Sequence, residues 1–226
     1  MALLRGASAV AAWNDAGRGL HAARRGMWRA LLAGTALSAP LLIFGSQTLA
    51  ATFTVTNTND SGAGSLRQAM ADANASAGAD TIKFALGAPG QINLSSALPA
   101  LVDVSGVTID GSNQGSGAVT INGGGQNRIF FVYQGDTSIS DLTLANGRAQ
   151  GGAGGTGNKG GGGGMGAGGA IFVNGGTTSI TNVLFTDNQA AGGSGGGSGG
   201  TAAGGGGGLG GSGGSASAGG GGGWRL

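Results

Sequence analysis

Phe130-Phe131-Val132, followed by Ser138-Ile139-Ser140-Asp141-Leu142-Thr143-Leu144-Ala145-Asn146, returns as Ile171-Phe172-Val173, followed by Ser179-Ile180-Thr181-Asn182-Val183-Leu184-Phe185-Thr186-Asp187-Asn188. The blocks start 41 residues apart, and aligning their final Asn residues requires one inserted residue in the second. Most of the length between them is the glycine-rich stretch Gly151 to Gly169. Without that stretch the repeat shrinks to roughly 22 residues, and fixed periods of this size are the mark of stacked repeat architectures.

Shorter copies of the same pattern precede the two blocks. Gln91-Ile92-Asn93-Leu94, Val107-Thr108-Ile109-Asp110-Gly111 and Val119-Thr120-Ile121-Asn122-Gly123 each alternate apolar with polar residues, which predicts short strands buried on one face. Ile129 to Tyr133 is more fully apolar. The stretch Thr137 to Asn146 closes the compact part. The predicted fold is all-β, a right-handed parallel β-helix. Ile109, Ile121, Ile139, Leu142, Leu144, Ile180, Val183 and Phe185 stack inward, and Thr, Ser, Asn and Asp face out. One repeat cannot bury its own apolar face, so neighbours must stack. Asn at the corners can take left-handed conformations and form ladders. An antiparallel sandwich is the alternative, but it does not account for the near-copy of a whole two-strand block.

Upstream, Phe53-Thr54-Val55-Thr56 and Thr81-Ile82-Lys83-Phe84 read as strands flanking one helix. Ser65-Leu66-Arg67-Gln68 has the form of a capping box, and Leu66, Ala69, Met70 and Ala73 share a helical face. Earlier still, Arg24, Arg25 and Arg29 precede an apolar run from Ala30 to Gly45, and Thr48-Leu49-Ala50-Ala51 follows it. That run falls short of the ~20 residues of a membrane-crossing helix. Cationic start, short apolar stretch and small-residue exit predict a secretory signal peptide over residues 1–50. Cleavage is expected after Ala50, with the bond after Ala51 nearly as good; an uncleaved membrane anchor is the other reading.

Composition narrows the chemistry. The 226 residues include 56 Gly and no Cys, the only His is His21, and all nine acids are Asp. Disulfides, thiolate metal sites and catalytic triads all lack parts. Residues 1–50 carry five Arg against Asp15; residues 51–226 carry six cations against eight Asp. The basic balance therefore belongs to the leader, and the scattered remaining cations do not form a phosphate-binding surface. No nucleic-acid partner is expected.

Two stretches resemble known patterns. Phe53 to Asp60, with Gly64-Ser65-Leu66-Arg67-Gln68-Ala69-Met70 and Ala79-Asp80-Thr81-Ile82-Lys83-Phe84, resembles the N-terminal cap of secreted bacterial parallel β-helix proteins. Those often have Cys where this chain has Gly64. Gly168-Gly169-Ala170-Ile171 and Phe185-Thr186-Asp187-Asn188 resemble the repeat of polymorphic outer-membrane proteins and autotransporter-type adhesins. The resemblance covers about residues 51–190. It implies a β-helical passenger displayed on, or released from, a Gram-negative cell, meeting surface glycans or proteins of a host or neighbouring cell. The membrane would be met only through a C-terminal anchor that this sequence does not contain. The expected organisation is a leader over 1–50, a cap over 51–84 and β-helix coils over 85–190 with a glycine-rich insert over 151–169. A glycine-rich tail over 191–226 completes it.

A carbohydrate-active enzyme of the pectinolytic type is the rival reading. Such a site needs clustered carboxylates and a cation. Asp103, Asp110 and Asp141, with Arg128, are the candidates weighed. The expectation is that they are surface or corner residues and that the chain is not an enzyme, with no catalytic, cofactor or metal residues. Lys159 is followed by Gly160 rather than Ser or Thr, so the glycine-rich stretch is no phosphate loop. Ordering glycine is entropically costly, so insert and tail are expected to be disordered, a packed polyglycine layer being the alternative.

Overall fold

The computed structural model of the chain describes residues 49–87, 89–115, 118–199, 203–209, 211–213 and 215. The expected leader, apart from Leu49 and Ala50, lies outside the described residues, as does the end of the tail. Among the described residues, apolar–polar alternation resolves into thirteen short strands: β1 (Thr52–Val55), β2 (Asp80–Phe84), β3 (Gly90–Asn93), β4 (Val107–Asp110), β5 (Val119–Asn122), β6 (Phe130–Val132), β7 (Thr137–Ser140), β8 (Leu142–Ala145), β9 (Arg148–Gln150), β10 (Ile171–Val173), β11 (Thr178–Thr181), β12 (Leu184–Thr186) and β13 (Gln189–Ala191). One helix, α1 (Leu66–Ala75), separates β1 from β2.

All the strand pairs are parallel. The first sheet runs β1-β2-β4-β7-β11 and the second β3-β5-β8-β12; β6-β10 and β9-β13 form the third and fourth. Parallel neighbours cannot be joined by a tight hairpin. Here the chain leaves the first sheet, contributes to the second and third, and returns to the first beside its previous strand. The protein is thus all-β, built mostly of strands in parallel sheets.

The register aligns like residues. Phe53, Ile82, Ile109, Ile139 and Ile180 form one column across the first sheet. Ile92, Ile121, Leu144 and Phe185 form another across the second. Ile82, Ile109, Ile139, Ile92, Ile121, Leu142 and Leu144 are fully buried in a single apolar cluster. Each such side chain contributes about 1.5–3 kcal/mol of burial. Of the positions expected inward, Val183 is partly buried, while Ile180 is 44% and Phe185 46% exposed. Both keep their columns. They are open because no strand pairs beyond β11 and β12 among the described residues.

The repeat is more regular than the sequence alignment. An offset of 41 residues relates Phe130 to Ile171, Ser138 to Ser179, Leu144 to Phe185, Arg148 to Gln189 and Gly157 to Ser198. The expected inserted residue is therefore absent: Asp187 falls opposite Asn146, and Asn188 opposite Gly147. Thr137 to Asn146 forms two strands in two sheets. The chain turns between them at Asp141, whose φ is +58°. Its partner Asn182 has φ +54°, and the next corner repeats the device with Asn146 (+50°) and Asp187 (+53°). Asp and Asn enter this left-handed region more readily than other non-glycine residues.

Helix α1 closes one end of the core. Leu66, Ala69, Met70 and Ala73 are buried in the cluster that holds Ile82, Ile92 and Leu101. The Ser65 side chain caps the helix by accepting from Gln68 N–H (3.2 Å). The reciprocal arm of the predicted capping box is missing, because the Gln68 amide donates to Asp72 (2.7 Å).

The glycine-rich insert and the described part of the tail are ordered by backbone hydrogen bonds, against the expectation of disorder. Gly151, Gly154 and Gly157 donate to Ala191, Ser194 and Gly197, while Gly152 and Gly155 donate to Gly208 and Gly205. Gly193, Gly196 and Gly199 donate back to Gly164, Gly161 and Gly157. Donors to one neighbour recur every third residue, not every second as in a sheet. That is the three-residue turn of a polyproline II-type chain. Among the described residues from 151 to 167 no glycine has positive φ. The segments approach so closely that a methyl group on Gly154 or Gly161 would collide with the carbonyl of Gly161 or Gly205, respectively. The entropic cost of ordering glycine is offset by backbone groups that pair with one another and leave few polar atoms to be desolvated unpaired.

Candidate functional site

The alternation that buries one face of each strand points the other face outward. On the first sheet this gives a column of hydroxyls, Thr52, Thr81, Thr108, Ser138 and Ser179, at neighbouring-strand spacing of about 4.8 Å. Beside it run Thr54, Lys83, Asp110, Ser140 and Thr181. Lys83 lies 3.6 Å from Asp110. On the second sheet Asn146 donates to Asn122 (3.1 Å) and Asn122 to Asn93 (3.0 Å), an amide ladder of the kind the corner asparagines suggest.

Of the four residues weighed for catalysis, Asp110 and Asp141 lie at adjacent corners, Asp110 pairing in register with Ser140, while Asp103 precedes β4 and Arg128 precedes β6. Asp110 ends β4 and accepts from Ser112 N–H (2.9 Å). Hydrogen bonding from the Ser112 side chain, with burial opposing it and the Ser112 N–H and Lys83 assisting, holds its carboxyl below the ordinary 3.8. Asp141 is the corner residue of the next strand pair and accepts from the Asn182 amide (2.5 Å). Asp103 sits at another corner, beyond Leu101, and accepts from Ser105 N–H (2.9 Å). Arg128 precedes β6 of the third sheet. Among the described residues no group of three or more acidic or His side chains could hold a metal ion.

Arg128 has a distinct setting that the sequence pattern did not disclose. Its guanidinium donates to the carbonyls of Gly168 (3.0 Å) and Ala167 (2.9 Å), which ties the end of the glycine insert to the strand stack. It lies 5.0 Å from the Phe172 ring centre and 5.7 Å from that of Phe131. Those rings, paired in register on β10 and β6, stack at 5.5 Å, and Tyr133 meets Phe131 edge-on at 6.2 Å. Burial disfavours the charged guanidinium and lowers its pKa, and no carboxylate pairs with it among the described residues. Tyr133 is 46% exposed. The third sheet thus carries an aromatic cluster in which Phe131 is buried, Phe172 is partly buried and Tyr133 is open, with one cation against the rings. The signal was present as Phe131 and Phe172 at equivalent places in the two blocks.

Among the described residues no helix is long and apolar enough to cross a membrane. No family model, curated protein or solved structure matches the chain.

Proposed function

We propose that the chain is the N-terminal part of a right-handed parallel β-helix passenger, exported and displayed on or released from a Gram-negative cell, with a structural and adhesive role. The observation that carries this reading is the constant 41-residue register through four parallel sheets, which lines up outward side chains in columns. A rigid stack of that kind presents repeated chemistry to a partner at fixed spacing. Its faces differ: hydroxyls on the first sheet, amides on the second, and aromatics with Arg128 on the third. The last is the face best suited to a surface glycan or protein, because the open Tyr133 ring offers an aromatic contact beside a guanidinium that no carboxylate neutralises among the described residues. Asp110 and Asp141 are neighbours, but among the described residues no third carboxylate joins them, and this favours display over hydrolysis.

Export is tested by expressing the full chain in a Gram-negative host and digesting intact cells with a protease. Recovery of the chain without residues 1–50 from the periplasmic fraction, the cell surface or the medium is expected. A chain that stays protected in the cytoplasmic fraction overturns the reading.

A further inference from the structure

Asp80 is a charged residue in an apolar setting. It opens β2, is 1% exposed, and packs where the strand stack begins. One carboxylate oxygen, Oδ1, accepts from the backbone N–H of Ala51 (2.7 Å) and from the Ser76 hydroxyl (3.4 Å). The other, Oδ2, is buried without a hydrogen-bond partner. No cation pairs with Asp80 among the described residues. A buried carboxylate with neutral partners and an empty lone pair is costly, and the cost falls when an opposite charge arrives.

The atom that touches Asp80 is the nitrogen that removal of residues 1–50 would free. We infer that hydrolysis of the Ala50–Ala51 bond converts the Ala51 amide into an α-ammonium that pairs with Asp80 and locks the start of the stack. Water adds across the bond: Ala50 leaves as a carboxylate, and Ala51 nitrogen takes up protons to become –NH3+. The catalyst is an endopeptidase that selects small residues before the cut. The substrate side suits it: Leu49 is 77% exposed and Ala50 is exposed, whereas Ala51 is held in place. Ala51 C=O accepts from Thr81 N–H (2.8 Å), so this residue is fixed against β2 from both of its backbone groups.

The same geometry distinguishes the two candidate bonds. A cut after Ala51 would discard the nitrogen that Asp80 holds and the carbonyl that Thr81 uses. A cut after Ala50 keeps both and adds a positive charge and two further N–H donors at the atom beside the unpartnered Oδ2. The inference rests on the export reading for the natural cut, but the lock is tested without it.

The test uses the full chain with the recognition sequence of a site-specific endoprotease inserted between Ala50 and Ala51, chosen to leave Ala51 as the first residue. Urea unfolding is measured before and after cutting. Cutting is expected to raise the folded-to-unfolded ratio about a hundredfold, the scale on which a buried charge gains its partner. Acetylating the new terminus should abolish the gain, and Asp80→Asn should show none. The lock is overturned if cutting leaves stability unchanged, if acetylation has no effect, or if Asp80→Asn gains equally. Intact mass of the naturally processed chain gives the bond: residues 51–226 are expected, and a chain beginning at Thr52 or retaining the leader overturns the assignment. Localisation failing while the lock holds would sink export alone.

Discussion

Asp141 shows how one residue sets the path of the chain. With φ at +58° it turns β7 into β8, and its carboxylate receives the amide of Asn182, the equivalent corner one strand on. Asp141→Asn keeps a residue that tolerates this conformation and should change stability by less than about 0.5 kcal/mol. Asp141→Val adds a branched side chain at positive φ and deletes the inter-corner hydrogen bond, so it should cost about 2 kcal/mol in urea unfolding. Two other aspartates make stability depend on acid. Burial raises the pKa of Asp60, but hydrogen bonds from Ser95 and the nearby Arg67 outweigh it and hold the carboxyl below 3.8. Asp110 is held low by Ser112 foremost. A depressed carboxyl contributes its full stability above its unfolded pKa and loses it as pH falls through the lower folded value. The Asp60→Asn, Asp110→Asn double variant should therefore lose less stability than the parent between pH 7 and pH 2, read as the shift in urea midpoint.

At the scale of elements, the strands and the cap helix were legible because local and tertiary demands agree. Ile109, Ile121 and Ile139 alternate with polar residues in sequence and face inward in the structure, and Ser65 both looks and acts like a cap. The sequence was less informative where backbone alone decides. The corner inside Thr137 to Asn146 rests on left-handed φ at Asp141, which leaves no mark on hydropathy. The end of the second block invited an inserted residue because matching Asn146 with Asn188 was more attractive than matching it with Asp187. The glycine segments misled most, since composition argued from entropy and could not show how their amides pair. A trace was there: Ala153, Thr156 and Lys159 interrupt the glycines at every third position, and the last two are exposed while Gly151, Gly152, Gly155 and Gly157 are buried. The packing makes a direct prediction. Hydrogen exchange of the amides of Gly154, Gly155, Gly161 and Gly164 should be slowed at least about tenfold relative to an unfolded chain. Gly154→Ala with Gly161→Ala should restore fast exchange there, whereas Thr156→Ala should not. Uniformly fast exchange in the parent would mean that these segments do not pair.

For the whole molecule, the columns allow the stacking itself to be measured. In a stack of parallel strands each strand touches only its neighbours, so stability is close to a sum of local terms and the ends are weaker than the middle. Ile109 and Ile180 occupy the same inward column of the first sheet, separated by Ile139. Ile109 is fully buried between Ile82 and Ile139, whereas Ile180 packs on Ile139 alone and remains 44% exposed. Ile109→Ala removes contacts on both sides and leaves a void that the stacked strands cannot easily collapse, which should cost about 2–5 kcal/mol. Ile180→Ala removes contacts on one side of a position already open to water, and should cost less than about 1.5 kcal/mol. Ile139→Ala should resemble Ile109→Ala, because β11 still covers it. The comparison is made by urea unfolding of the three single variants of the full chain. Equal costs at Ile109 and Ile180 would mean that Ile180 is covered in solution by another segment or another molecule. The one-sided stacking described by β11 and β12 would then have to be abandoned.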